Sequence, residues 1–209
     1  MKVNVCFIIF LILTLSFFSC DQPQKQELTI QTADKIENPT LQTILNRKSI
    51  RQYTNQEISA DEIKNLLKAG MAAPSSRDRR PWHLIVISDK SVLENLGAQL
   101  KNAAILKDAN KAIVVCGDDE LSDNCWFLDC AAVTQNILLA AESMGIGAVW
   151  TAVYPYEDRT EIVNKQLGLP TNIHALSIIP LGYPAGQHAS KDKFDTTRVH
   201  YNKFNSMNN

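Results

Sequence analysis

Three cations and a hydroxyl stand within five residues at Arg47-Lys48-Ser49-Ile50-Arg51. Such a run suits a phosphate, because the cations offset its charge and Ser49 donates a hydrogen bond. A solvated basic surface accounts for the same residues equally well. A second stretch is Ala73-Pro74-Ser75-Ser76-Arg77-Asp78-Arg79-Arg80-Pro81-Trp82. Its two prolines, two serines, four charges and tryptophan read most simply as an ordinary exposed loop. Metal chemistry is not indicated: His83, His174, His188 and His200 are scattered singly, without ligand spacing. His83, His200 and Tyr156 are candidate proton donors, and a structural role is the simpler reading of each.

The elements that must position these residues follow from periodicity. Leu41, Ile44 and Leu45 mark a short amphipathic helix that ends at the basic run. Ser59 with Glu62 three residues later is a capping-box signature, and Ile63, Leu66, Leu67 and Met71 recur behind it at helical spacing. That helix closes at Gly70 and opens the proline–serine loop. His83–Ser88 and Ala112–Gly117 read as buried strands, with a helix around Val92, Leu93, Leu96 and Leu100 between them. Trp126–Met144 is apolar almost all round, which marks a helix central to a core or an interface. A strand over Ala148–Val153, a helix over Glu157–Leu167 and a strand over Ala175–Gly182 complete a mixed helix and strand domain with a two-faced sheet.

Composition bounds the answer. The chain has 209 residues, 45% hydrophobic, 21% charged and 7% aromatic, which excludes disorder, collagen-like repeats and a disulfide-dense mini-protein. One domain is expected at this length. Lys and Arg number 21 against 22 Asp and Glu, so there is no strong positive field for general nucleic-acid binding.

The first residues belong to a different problem. Lys2 precedes an apolar run to Phe18, too short for a comfortable membrane span and proportioned like a secretory signal. Ser19-Cys20 at its end resembles a bacterial lipobox, although Phe17 stands where Leu is usual. The expectation is a signal over residues 1–19, a lipid on Cys20, a polar tether over 20–39 and a domain over 40–209, exported and held at a membrane. A plain signal anchor with an incidental cysteine is the alternative. Of the remaining thiols, Cys125 and Cys130 lie five apart in a helical pattern and on different faces, so no bridge between them is expected.

Together the two stretches resemble the nitroreductase family of flavoproteins. The first is similar to its Arg-Arg-Ser-hydrophobic-Arg opening followed by an aromatic, here Tyr53. The second is similar to its Ala-Pro-Ser loop ending in Gln-Pro-Trp. Looser matches follow in order at Asp129–Ala132, Asn136–Ala141, Gly145–Trp150, Pro180–Pro184, Lys191–Asp195 and Val199–Tyr201, so the resemblance spans about residues 40–204.

The resemblance implies an α+β three-layer sandwich with a mixed, mostly antiparallel sheet flanked by helices. It implies a homodimer with FMN at the subunit interface, and reduction of an electron-poor acceptor such as a nitroaromatic or quinone by an NAD(P)H-type donor. By motif, Arg47, Lys48 and Ser49 would hold the FMN phosphate, completed by Lys191 and Lys193, while Arg51 would lie by the N1/O2 edge. Pro74, Ser75 and Ser76 would come from the partner subunit. Thr151, Ala152 and Val153 would run past N5. Two departures stand out. Asp78 replaces an Asn at the pyrimidine edge and Arg80 replaces Gln, so Asp78 and Arg80 could pair with each other. Arg77, Arg79 and Arg80 could instead face an anionic substrate or the NAD(P)H phosphates. The cofactor carries the hard chemistry, so no side chain need act as acid or base. Relatives with a long lid, as in reductive dehalogenation, are disfavoured by the short Lys101–Asn124 stretch. The rival reading is a flavin-binding surface lipoprotein without turnover, and export itself sits uneasily with a nucleotide donor that is scarce outside the cytoplasm.

Overall fold

The computed structural model describes residues 37–204. The expected signal, Cys20 and nearly all of the tether lie outside the described residues. Helix α1 (Pro39–Asn46) is capped by Asn38, whose Oδ1 accepts from the N–H groups of Thr40 and Leu41 at 3.0 and 3.1 Å. Helix α2 (Ala60–Met71) carries the full capping box: Ser59 Oγ accepts from Glu62 N–H, and the Glu62 carboxylate accepts from Ser59 N–H at 2.8 Å.

Five strands form one sheet: β1 (Trp82–Ile87), β2 (Lys111–Asp118), β3 (Gly147–Ala148), β4 (Thr151–Ala152) and β5 (Ile173–Gly182). Their order is β1-β2-β5-β3, with β4 also on β5, and every pairing among the described residues is antiparallel. The side chains of β2 alternate. Ile113 and Val115 face α2 and α4 (Trp126–Ser143), whereas Ala112, Val114 and Cys116 face α3 (Lys90–Gln99), α5 (Glu157–Leu167) and a 3₁₀ segment, Lys101–Asp108. Helices therefore cover both faces, giving the three-layer α+β sandwich. Leu66, Leu93, Ile113 and Ile137 are wholly buried, each stabilising by roughly 1.5–3 kcal/mol.

Three features depart from the periodicity reading. The 3₁₀ segment has no counterpart in the periodicity. The last strand starts at Ile173, two residues early. The expected strand over Ala148–Val153 is broken into β3 and β4. Both pieces keep one register, Ala148 opposite Leu181 and Thr151 opposite Ile178, which places Val149 opposite Pro180. Proline has no N–H to give a ladder, and the break falls there. Farther along, Val115 pairs with Ser177 but Cys116 with Ala175, so Leu176 is a bulge. Its carbonyl accepts from both Val153 and Tyr154 N–H, at 2.9 and 3.2 Å.

Cys116 and Cys130 are buried on opposite faces of the sheet, and Cys130 Sγ donates to the Cys116 carbonyl at 3.3 Å. Burial pushes both thiols up to about 12, so neither is a nucleophile near neutral pH. No helix among the described residues is long and apolar enough to cross a membrane.

Candidate functional site

The basic run begins where α1 ends. Arg47 leaves the helix with an extended ψ of 128° while its N–H still reaches Thr43. From there the chain is clamped at two points. Ile50 is buried and donates its N–H to the Ala148 carbonyl at 3.0 Å. Tyr53 bridges to Pro184, and its hydroxyl donates to the carbonyls of Ile50 and Pro180 at 2.9 and 3.2 Å. Burial pushes the Tyr53 phenol well above its usual value, so it stays a donor. With Ile50 pointing inward, an extended chain sends Ser49 and Arg51 outward, and both are exposed.

Lys191 and Lys193, more than 140 residues farther along the chain, arrive at the same place. A cavity of about 320 Å³ is lined by Arg47, Lys48, Ser49, Arg51, Ala189, Lys191 and Lys193. Every charged or hydroxyl group in that lining donates hydrogen bonds, and none of its residues is acidic. The donor set fits a dianionic phosphate. Lys48 is partly withdrawn from it: its Nζ pairs with Glu142 Oε1 at 2.8 Å and also reaches the Asn46 carbonyl at 3.3 Å. Arg47, Arg51, Lys191 and Lys193 remain as the cations without an ion pair among the described residues.

The proline–serine loop does not line that cavity within one chain. It sits at the other end of α2 and makes a 3₁₀ turn over Ser76–Asp78. Arg77, Asp78 and Arg80 hold φ of 55°, 55° and 50°, a left-handed conformation that non-glycine residues avoid. Strain of that kind persists only where neighbours over-determine it. Here Ser76 N–H donates to Asp129 Oδ1 at 2.9 Å, and Arg80 N–H donates to Ser75 Oγ at 3.0 Å. Arg80 also forks onto Asp78, Nε to Oδ1 at 2.8 Å and Nη2 to Oδ2 at 2.5 Å. The pairing anticipated for the two departures is therefore made, and the Arg80 hydrogen bonds hold the Asp78 carboxyl below its ordinary value. Pro74 stands immediately before Ser75, the N-cap residue of the turn.

Thr151, Ala152 and Val153 form a third group. The Thr151 hydroxyl donates to Ile178 O at 2.7 Å, and Val153 N–H donates to Leu176 O. Both are thereby committed inward. The Ala152 carbonyl faces the other way and accepts from Asn102 Nδ2 and Arg159 Nη1, each at 3.0 Å. In a strand the N–H and C=O of one residue point to the same side, so Ala152 is the residue of the three whose N–H is directed away from β5.

Sequence reasoning gives Glu142 no role, and it uses Asp129 only as the start of a loose motif match, without a partner. Asp129 is an acid in an otherwise apolar run, and that mismatch was the available signal. Nothing local marks Glu142 as the partner of Lys48. His83, His200 and Tyr156 do not line the cationic cavity. His200 packs on Phe204 with ring centres 4.4 Å apart, and Tyr156 lies under the Arg159 guanidinium at 3.7 Å.

Comparison with known proteins gives a consistent result. The sequence model of the Nitroreductase family matches residues 44–124 and 95–183. A Methanothermobacter thermautotrophicus protein provisionally described as an NADH dehydrogenase/NAD(P)H nitroreductase is 41% identical over 87% of this chain and 96% of its own length. A Parabacteroides distasonis crystal structure of the same provisional description is 54% identical with a TM-score of 0.79, over 80% of this chain and all of that one. An FMN-dependent nitroreductase from Clostridium difficile is 29% identical with a TM-score of 0.75, over 78% of this chain and 99% of that one.

Proposed function

The chain belongs to the nitroreductase family, and on that footing we propose that it is an FMN-dependent oxidoreductase passing electrons from an NAD(P)H-type donor to an electron-poor acceptor such as a nitroaromatic or quinone. The cationic cavity carries the proposal, because its lining is all donor and free of carboxylates. Arg47, Ser49, Lys191 and Lys193 bind the phosphate, with Lys48 at the rim and shared with Glu142. Arg51 would set a positive charge by the N1/O2 edge of the bound flavin, the kind of fixed charge that favours a reduced, anionic ring. Ala152, whose N–H is directed away from β5, would supply the backbone donor for the N5 edge. Pro74, Ser75, Ser76 and Asp78 approach from a second copy. The exposed Leu41, Ile44 and Leu45 on α1 favour such a homodimer, since a helix with no buried residue needs a partner for its apolar face. When bound, FMN supplies the two-electron chemistry.

The visible spectrum of the purified protein tests this reading under anaerobic conditions. A bound flavin that bleaches with NADH or NADPH, and recovers with a quinone, is the expected result. Bound flavin that neither nucleotide bleaches would favour the lipoprotein that carries flavin without turnover. No flavin binding after added FMN would sink the reading. The apolar leader and Cys20 support an exported protein anchored by lipid, and Cys20→Ala should move it from the membrane fraction to the soluble one. Unchanged membrane retention would count against the anchor.

A further inference from the structure

A second polar cavity, of about 630 Å³, opens between the Ser76–Asp78 turn and the loop over residues 119–125. Its volume falls within the range of small-molecule sites. Arg77 and Arg79 stand on one wall, and Asp119, Glu120 and Asp123 on the other. The two walls are tied at their base by Asp129, which is buried. One oxygen of its carboxylate accepts from Ser76 N–H at 2.9 Å, the other from Ser122 Oγ at 3.3 Å. Arg79 Nη1 crosses to the Leu121 carbonyl at 3.1 Å and ties them again. These ties brace the two walls against each other.

Its charges are unequally committed. Asp119 is held by His174 Nε2 at 2.7 Å, with the His174 ring stacked on Trp126 at 5.4 Å. Among the described residues, Asp123 Oδ1 accepts from the adjacent Asn124 N–H alone. Arg80 is spent on Asp78. Arg77 forms no ion pair among the described residues, and its backbone is held at φ 55°. A bare anion entering here meets carboxylates, and a bare cation meets guanidinium groups. A ligand that suits both walls carries an anionic group and hydroxyl donors a few ångströms apart, as a phosphorylated ribose does. Arginine pairs with phosphate, and carboxylates accept from ribose hydroxyls.

We propose that this cavity binds the adenosine-diphosphate half of a reduced pyridine dinucleotide, with Arg77 on the diphosphate and Glu120 and Asp123 on the ribose hydroxyls. Carboxylates at the ribose repel a 2′-phosphate, so NADH is preferred over NADPH. The inference rests on the donor assigned above, and two probes keep the two readings apart.

The first probe is ADP-ribose, titrated calorimetrically into the FMN-loaded protein with no turnover. The second is flavin reduction by NADH, compared with reduced nicotinamide mononucleotide, which lacks the adenylate. Arg77→Asn removes the charge but tolerates positive φ, so the turn should survive. ADP-ribose should bind the wild type and lose at least about tenfold in affinity in Arg77→Asn. The NADH concentration for half-maximal reduction rate should rise about tenfold, while that for the mononucleotide stays unchanged. Glu120→Gln should narrow the preference for NADH over NADPH. No binding of ADP-ribose to the wild type overturns the proposal, as does an equal shift for NADH and the mononucleotide. Binding of ADP-ribose that depends on Arg77, with no reduction by either donor, supports the cavity and defeats the donor reading alone.

Discussion

The double variant Arg47→Ala/Lys191→Ala is expected to purify colourless and to bind added FMN at least about 100-fold more weakly than the wild type. Both side chains line the same cavity, and neither has a competing carboxylate among the described residues. A hydrogen bond to a charged group is worth about 1.5–3 kcal/mol, so losing two costs about 3–6 kcal/mol of binding. At 1.4 kcal/mol per factor of ten, that is roughly 10²–10⁴ in affinity. Folding should hardly change, because Lys191 is exposed, Arg47 is only partly covered, and surface substitutions usually move stability by about 0.5 kcal/mol or less. Lys48→Ala makes the contrast. Its ammonium already pairs with Glu142, so its loss should weaken FMN far less while freeing a half-buried carboxylate. Fluorescence titration of FMN, repeated at rising salt, reads all three proteins. Wild-type affinity in the double variant would remove the phosphate assignment.

Gly182→Ala is expected to lower the melting temperature by about 4–16 °C. A Cβ at Gly182 would lie 2.6 Å from Tyr53 Cγ and 2.7 Å from Tyr53 Cβ. These are the root of the side chain, so rotating the ring does not relieve the contact. Overpacking costs about 1–3 kcal/mol, and displacing Tyr53 strains its hydrogen bonds to Ile50 and Pro180, worth about 1 kcal/mol each. A total of about 2–4 kcal/mol corresponds to the stated shift for a domain of this size. The same displacement unclamps residues 47–51, so FMN affinity should fall with stability. Tyr53→Phe separates the two contributions, since it removes the hydroxyl and leaves the packing. Thermal unfolding by circular dichroism is the measurement. A Gly182→Ala protein melting within about 2 °C of wild type would mean that the Tyr53 clamp is not the constraint argued above.

Much of this architecture is legible in local sequence signals. The capping box at Ser59 and Glu62, the helical spacing of Ile63, Leu66 and Leu67, and the apolar runs that became β1, β2 and β5 are local signals, and each was found within one or two residues of its observed place. The residues of the basic run and of the Lys191–Lys193 segment were also named from sequence, through motif resemblance rather than spacing.

The elements that were not legible share one property: each depends on a residue far away in the chain. The strand over Ala148–Val153 reads as continuous because its own residues favour β structure. It breaks because its partner at Val149 is Pro180, some thirty residues on. Lys48 reads as a free cation, and only the fold brings Glu142 to it. Ala152 looks no different from Thr151 or Val153 until the bulge at Leu176 and the side chains of Asn102 and Arg159 set which backbone groups face outward. The helices, the buried strands, the family resemblance and the supply of cations are all readable along the chain. Which cations share a cavity, which are neutralised, and where Arg77 meets a wall of carboxylates emerge from the folded chain alone. The difference is one of range. Propensity, capping and hydrophobic periodicity act within a few residues, whereas ion pairing, register and strand breaks are set by partners that meet only after the chain has closed on itself.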